Sequence, residues 1–288
     1  MTKPFLQIER LSRRYPARGA ASEVVVFEDL SIDVERGQFV TLIGHSGCGK
    51  STLLSIVAGL DTQSSGYVFV NGKQVTGPGL SRGVVFQNHN LLPWLSALDN
   101  VAFAVRARHP GFSRERAREH ARTFLAKVGL SGAEERRPAE LSGGMRQRVG
   151  IARAFAIEPQ ILLLDEPFGA LDALSRASLQ DQLLELWSQT GQTVLMITHD
   201  VDEALYLSDR VLVMSDGPRA RVEADAGVAF ARPRERVELA RQEPYHALKT
   251  RLMGLLTRGS PSLPAAPAPP RSIEITPLSH EALSSSGE

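Results

Sequence analysis

The stretch Phe39-Val40-Thr41-Leu42-Ile43-Gly44-His45-Ser46-Gly47-Cys48-Gly49-Lys50-Ser51-Thr52 decides the fold of this 288-residue chain. Its first five residues form a short apolar run rich in β-branched side chains, which is typical of a buried parallel strand. The glycines that follow let the backbone take unusual dihedral angles and bring its N–H groups close to an anion. A helical pattern, Ser51–Ala58, comes next, and a helix N-terminus attracts negative charge. The order strand, glycine-rich loop, helix therefore predicts a phosphate-binding loop in an α/β protein.

Further short apolar runs on both sides of this stretch indicate strands, and helical patterns lie between several of them. This alternation predicts a mostly parallel sheet. These runs are Val24–Phe27, Ile32–Val34, Tyr67–Val70, Gly83–Phe86, Ile161–Leu164, Thr193–Thr198 and Arg210–Met214. Residues 91–157 form a helical insertion, with predicted helices at Ser96–Ala107, Ser113–Val128 and Arg146–Ile157. In the last 30 residues, 259–288, 19 are Pro, Ala, Ser or Gly, and we expect a disordered tail because such a segment buries too little apolar surface.

Composition excludes several classes of protein. The 33 basic residues nearly cancel the 32 acidic ones, so charge gives no case for a nucleic-acid partner. The single cysteine, Cys48, excludes an internal disulfide framework and a multi-cysteine metal site. No apolar run approaches the roughly 18 residues that span a bilayer, and Met1–Phe5 does not resemble a signal peptide. We expect a cytoplasmic chain that reaches a membrane only through a partner.

The loop residues have distinct predicted roles. Lys50 supplies a mobile positive charge for the β- and γ-phosphates, and the Ser51 hydroxyl can ligate Mg²⁺. His45 and Cys48 contribute backbone atoms, although a solvent-reachable Cys48 would be a site for alkylation that blocks nucleotide. The predicted nucleotide-binding set in this loop is Gly44, His45, Ser46, Gly47, Cys48, Gly49, Lys50, Ser51 and Thr52.

Two further strands end in polar residues. Asp165 and Glu166 follow Ile161–Leu164, and adjacent carboxylates at the end of a buried strand are costly unless they face a cation. Asp165 suits the Mg²⁺ shell, and Glu166 is placed to polarise an attacking water. His199 follows Val194–Thr198; a lone histidine there is either structural or, at the ligand-binding edge of an open sheet, a donor to the γ-phosphate.

The segment Leu141-Ser142-Gly143-Gly144-Met145-Arg146-Gln147 makes the reading specific. It resembles the LSGGQ-type signature of ATP-binding cassette (ABC) ATPases, with Met at the usual Gln position. Other motifs of that family occur in order: Gln87 is similar to its Q-loop glutamine, Asp172 to its D-loop aspartate and His199 to its switch histidine. Tyr15 resembles the aromatic residue that stacks on adenine, with an ordinary strand tyrosine as the alternative. The resemblance covers about residues 5–256.

This resemblance implies a P-loop NTPase fold of the ABC type, with an N-terminal antiparallel β subdomain, a mostly parallel core and an inserted helical subdomain. It implies one ATPase domain at 1–258, with ATP and Mg²⁺ as cofactors and Ser51, Gln87 and Asp165 around the metal. Catalysis would fall to Glu166, His199, Gln87 and Lys50. Since the helical insertion carries Ser142, Gly143 and Gly144 away from their own phosphate loop, they would close on ATP held by a second subunit, with Asp172 near that interface.

Among ABC proteins, a bacterial importer subunit on the cytoplasmic side of the inner membrane fits best. The expected partners are a second copy or a paralogous ATPase subunit, an integral-membrane permease, and a periplasmic or lipid-anchored solute-binding protein. The apolar run Leu91–Leu95 is either a permease-docking rim or local core packing. With about 30 residues after Leu256, we expect no C-terminal regulatory domain.

The solute is a matter of family likeness. Val85–Leu95 and Phe168–Leu174 resemble the nitrate/sulfonate/taurine importer branch, and His45, Asn88–Asn90, Ser215–Pro218 and Arg232–Arg234 are more similar to nitrate-type ATPases. Nitrate or nitrite is therefore expected, with a sulfonate or taurine as the alternative. More remote alternatives are a non-transport ABC ATPase and a small-substrate kinase.

Overall fold

The computed structural model describes residues 3–16 and 23–258. The predicted disorder of 259–288 lies outside the described residues. The strands in the described part are β1 (Leu6–Pro16), β2 (Glu23–Val34), β3 (Phe39–Gly44), β4 (Ser65–Val70), β5 (Lys73–Gln74), β6 (Arg82–Val85), β7 (Ile161–Asp165), β8 (Thr193–Thr198), β9 (Arg210–Met214) and β10 (Val222–Gly227).

The helices are α1 (Lys50–Ala58), α2 (Ala97–Arg108), α3 (Arg114–Lys127), α4 (Gly143–Ala156), α5 (Ala173–Thr190), α6 (Val201–Leu207), α7 (Arg236–Leu239) and α8 (Glu243–Arg258). No helix in residues 3–16 and 23–258 is long and apolar enough to cross a bilayer.

The strands form two sheets, as the α/β prediction with an antiparallel subdomain requires. The first is antiparallel, in the order β2-β1-β4-β5, and the second has the order β10-β9-β3-β8-β7-β6. Within the second sheet, the pairs from β9 to β6 are parallel and only β10 pairs antiparallel. Three helices, α2, α3 and α4, lie between β6 and β7 in the chain and form the predicted insertion.

The core lies on both faces of the six-stranded sheet. Every residue of β3 is buried, because β8 and β9 flank it and helices cover it. One apolar cluster joins the sheet to the inserted helices and α5; the other joins its opposite face to α1 and the antiparallel sheet. Burial of each large aliphatic side chain stabilises such a core by about 1.5–3 kcal/mol.

Strand register brings the ends of three neighbouring strands to one edge. Ile43 of β3 pairs with Thr198 of β8, and Ile197 of β8 pairs with Asp165 of β7. The residues that follow these positions, at the carboxyl ends of parallel strands, therefore lie together where open α/β sheets bind ligands.

Several elements differ from the sequence prediction, and three of them show why. Val24–Phe27 and Ile32–Val34 belong to one long strand, β2, whose pairing with β1 shifts register at several points. Helix α4 begins at Gly143, three residues before the predicted start, because the Ser142 side chain accepts a hydrogen bond from the Met145 N–H and caps it. Strand β1 was not predicted, since exposed arginines interrupt its apolar positions.

Candidate active site

The glycine-rich loop joins β3 to α1 in a conformation that only glycine accepts easily. Gly49 has φ +101°, and a Cβ built there would lie 2.5 Å from Val26 Cγ1. Gly49 is also the N-cap residue of α1 and has no side chain with which to cap it. The first-turn N–H groups of α1 are therefore available to an anion, and phosphate binding by this loop stays a prediction.

Lys50 is buried inside this loop. Its Nζ donates to the carbonyl oxygens of Gly44 and His45, each over 2.7 Å. Both acceptors are neutral carbonyl oxygens, so a bound phosphate could compete with them for the ammonium group.

The Ser51 hydroxyl and the Asp165 carboxylate meet at the edge of the sheet, where Ser51 Oγ donates to Asp165 Oδ1 over 3.0 Å. Burial raises the pKa of Asp165, and the hydrogen bond from Ser51 opposes that rise. A hydroxyl beside a partly desolvated carboxylate is an oxygen donor set that suits Mg²⁺. These two residues therefore fit the metal that nucleotide hydrolysis implies.

Two predicted catalytic side chains converge on a carboxylate oxygen of a third, Glu166. Gln87 Nε2 donates to Glu166 Oε2 over 3.2 Å, and His199 Nδ1 lies 3.5 Å from the same oxygen. Glu166 itself has φ +43°, and its N–H donates to the Ile197 carbonyl over 3.0 Å. Residues 79 and 33 positions away in the chain thus meet at Glu166 beside Asp165.

The signature segment lies at the N-terminus of α4, in the inserted helical region. Ser142 caps that helix, Gly143 and Gly144 form its first turn, and a Cβ at Gly144 would lie 3.5 Å from Leu171 Cδ2. Leu171 leads into Asp172, which caps α5 by accepting from the Ser175 N–H over 3.0 Å. That hydrogen bond lowers the pKa of Asp172.

Tyr15 lies in β1 opposite Val24 of β2, the strand whose Val26 faces Gly49. Its hydroxyl donates to Asp61 Oδ2 over 2.7 Å. The Arg13 guanidinium lies 4.1 Å from the centre of its ring. Adenine stacking on Tyr15 stays a prediction, with the ring already in contact with one cation.

Cys48 is buried, with 1% of its surface exposed, so the condition for its alkylation is not met. Burial raises the pKa of its thiol, although Lys50 Nζ at 3.8 Å works in the opposite direction. The sequence could not reveal this, because the position of a side chain inside a loop depends on residues far along the chain.

The sequence reading also missed the surroundings of His45. Its Nε2 donates to the Leu256 carbonyl near the end of α8 and lies 3.8 Å from Asp216 Oδ1. In the middle of α8, Lys249 Nζ donates to Oδ2 of Asp202, a residue in the first turn of α6, over 2.7 Å. Helix α8 therefore links the helix that follows His199 to the phosphate loop.

Two more residues near the site, His89 and Leu174, entered the sequence analysis only as parts of segments that resemble the family. His89 Nε2 donates to the Gly143 carbonyl over 2.9 Å. Leu174, two residues after Asp172, is 85% exposed. A large exposed apolar side chain such as Leu174 indicates an interface. Its exposure could not be predicted from the sequence, because it depends on which parts of the fold cover it.

Comparison with known proteins gives the same assignment. A family model described as ABC transporter matches residues 27–169. The chain is 47% identical over 255 residues to the nitrate import ATP-binding protein NrtD of Synechococcus elongatus, covering 88% of this chain and 92% of the relative. It is also 47% identical over 255 residues to the bicarbonate transport ATP-binding protein CmpD of Synechocystis sp., with 88% and 90% covered. Identity to the nitrate transport protein NasD of Klebsiella oxytoca is 46% over 260 residues, with 90% and 98% covered.

Among solved structures, the fold matches the ATP-binding cassette MJ0796, described as a dimer in a post-hydrolysis state bound to ADP and Pi. The TM-score is 0.71 at 30% identity, covering 78% of this chain and all of that one. With the phosphate loop, the paired carboxylates and the signature segment all in place, the chain belongs to the ATP-binding cassette (ABC) transporter family.

Proposed function

We propose that this chain is the ATP-hydrolysing subunit of a bacterial importer for a small oxyanion, most similar to those for nitrate. The observation that carries the proposal is the convergence of Gln87 and His199 on Glu166, next to the Lys50 loop. The relatives named for nitrate and bicarbonate transport support the solute class, since both ions are small planar anions. Nothing in an ATPase site recognises the solute, so transport specificity belongs to the partner proteins.

In the proposed mechanism the loop N–H groups and Lys50 hold the phosphates. Ser51, Asp165 and Gln87 would hold Mg²⁺, which would supply positive charge to neutralise the phosphate oxygens. Glu166 accepts a proton from the attacking water, whose oxygen bonds to the γ-phosphorus while the bond to the β–γ bridging oxygen breaks. ADP and phosphate are the products. Gln87 and His199 fix the Glu166 carboxylate for this step.

Two subunits would act together, head to tail. The signature N-terminus of α4 is a second backbone anion site, and it contacts Leu171 and His89 in its own subunit. Leu174, exposed beside Asp172, supplies apolar surface that a second subunit can bury. ATP bound between each phosphate loop and the opposite signature would hold the pair closed, and hydrolysis would release it.

The permease would dock on the helical insertion. Trp94 is 67% exposed and Phe103 of α2 is 61% exposed, which favours the docking reading of Leu91–Leu95 over core packing. The segment leading to Trp94 begins at Gln87, so movement at the γ-phosphate has a short route to this surface. The subunit would then sit peripherally on the cytoplasmic side of the membrane, with the solute delivered by a separate binding protein.

The test is the Glu166→Gln variant, which keeps the shape of the side chain and removes the base. We expect ATP binding to persist, turnover to fall by about 10²–10⁴-fold and an ATP-bound dimer to accumulate. Phosphate release and sedimentation with and without ATP measure these. Rapid hydrolysis by the variant would reject the assigned role.

Uptake of labelled nitrate and bicarbonate by a strain lacking the gene tests the solute class.

A further inference from the structure

His89 connects the two halves of the proposed site. It lies two residues after Gln87, and its Nε2 donates to the Gly143 carbonyl over 2.9 Å. A carbonyl oxygen only accepts, so this ring nitrogen carries the proton. The carbonyl has two lone pairs and can take this bond while still serving helix α4.

A second contact holds the same segment on α4. Arg153 of that helix donates from Nη1 to the Asn90 carbonyl over 2.8 Å and from Nη2 to the His89 carbonyl over 3.1 Å. Burial lowers the pKa of Arg153. The backbone at 89–90 is therefore fixed to the middle of α4, and the His89 side chain reaches from there to the start of the helix.

The bond from His89 sets the direction of an N–H group. The peptide unit between Gly143 and Gly144 is planar and trans, so the Gly143 carbonyl and the Gly144 N–H point in opposite directions. A hydrogen bond that fixes the Gly143 carbonyl therefore also fixes the direction of the Gly144 N–H. Glycine restricts its backbone dihedral angles least, so an external hydrogen bond can still bias the orientation of this peptide unit at the start of α4. The Gly144 N–H lies in the first turn of α4, where N–H groups lack partners inside the helix.

We propose that His89 is a positioning residue that aims the Gly144 N–H at the nucleotide held by the opposite subunit. The inference rests on the proposed head-to-tail dimer. A hydrogen bond joins Glu166 to Gln87, two residues of chain join Gln87 to His89, and a second hydrogen bond joins His89 to Gly143. Through this short path the catalytic centre of one subunit would orient the signature that the other subunit contacts. His89 touches neither nucleotide.

The experiment uses the Glu166→Gln chain, in which ATP-driven dimers accumulate, and adds His89→Phe, which keeps a ring and loses the donor. We expect the ATP concentration for half-maximal dimerisation, measured by sedimentation, to rise about tenfold, because in each dimer two Gly144 N–H groups are no longer aimed at the nucleotides. Affinity of the monomer for a fluorescent ATP analogue should stay within about twofold. His89→Gln, whose amide can donate from the same position, should restore dimerisation. If His89→Phe does not fold, His89→Asn takes its place, because its amide is too short to reach the Gly143 carbonyl.

The chain offers a matched control. His120 Nε2 donates to the Ala156 carbonyl over 3.0 Å, which is the same type of bond at the opposite end of α4. His120→Phe should leave ATP-driven dimerisation unchanged. Unaltered dimerisation in the His89 variant, or an equal defect in the His120 variant, would overturn the proposal. Failure of Glu166→Gln itself to dimerise with His89 intact would instead reject the proposed function.

Discussion

Glu166 combines a strained backbone with a shared carboxylate. Its φ of +43° is uncommon for a residue with a side chain and costs on the order of 1 kcal/mol, which its N–H bond to Ile197 helps to offset. The sequence predicted two acids at the end of a buried strand and assigned one to the metal and the other to water. It could not predict that Gln87 and His199 would share one oxygen, because that depends on the register of β7 and β8.

The burial of Cys48 predicts slow alkylation of its thiol. Its thiol is buried and its pKa is raised by burial, so alkylation by N-ethylmaleimide should be slow in the folded protein, by about tenfold for each unit of the rise. Intact-mass time courses in buffer and in concentrated urea measure the two rates. Equal rates in the two conditions would show that the loop exposes the thiol.

Helix α6 follows His199 and carries a buried acid. Glu203 Oε1 accepts from Gln180 Nε2 of α5 over 2.8 Å, and burial raises the pKa of Glu203. The sequence analysis named neither residue, since a Glu in a polar run reads as exposed. The pair joins the helix after His199 to the helix that Asp172 caps.

The raised pKa of Glu203 predicts a pH dependence of stability. The folded state holds a proton on Glu203 more tightly than the unfolded state, so this group stabilises the fold least once pH has risen above its folded pKa. Glu203→Gln removes that penalty. Its free energy of unfolding relative to the parent should therefore increase from pH 4 to pH 7, by about 1.4 kcal/mol for each unit of the pKa rise.

Urea titrations at several pH values provide the measurement. Asp202→Asn, on the same helix but with its carboxylate paired to Lys249, serves as the control and should not show this increase. A constant difference between Glu203→Gln and the parent across the range would contradict the argument.

The proposed role of the signature segment requires a second subunit. A Cβ at Gly143 would meet only Arg146 Nη2, at 4.0 Å, so the single subunit has room for a side chain there. Gly143→Asp adds a negative charge where the phosphate of the opposite subunit is expected. ATPase activity should fall by about 10²-fold or more while nucleotide binding by the monomer persists.

Gly111→Asp is the matched control, since a Cβ at Gly111 meets nothing within 4 Å and the loop lies between α2 and α3. It should hydrolyse ATP at the parental rate. Phosphate release and equilibrium binding of a fluorescent nucleotide distinguish the two variants. Full activity in Gly143→Asp would argue against a site shared between subunits.

Motifs and apolar runs predicted most of the central sheet. Thr193–Thr198 and Arg210–Met214 agree with β8 and β9 at both ends, because buried parallel strands are continuous apolar runs. The contacts of His89, His45 and Leu174 could not be predicted in the same way. Each contact depends on which distant element packs opposite the side chain, and a local sequence pattern does not predict long-range packing.

The contact between His45 and Leu256 joins residues 211 positions apart. At about 5–20 residues per second of synthesis, about 10 to 40 s pass between the making of the phosphate loop and the making of the carbonyl that covers it. Throughout that interval the phosphate loop of the nascent chain lacks the helix end that rests on it. A ribosome that stalled shortly before residue 256 would release a chain with every recognised motif and an uncovered phosphate loop.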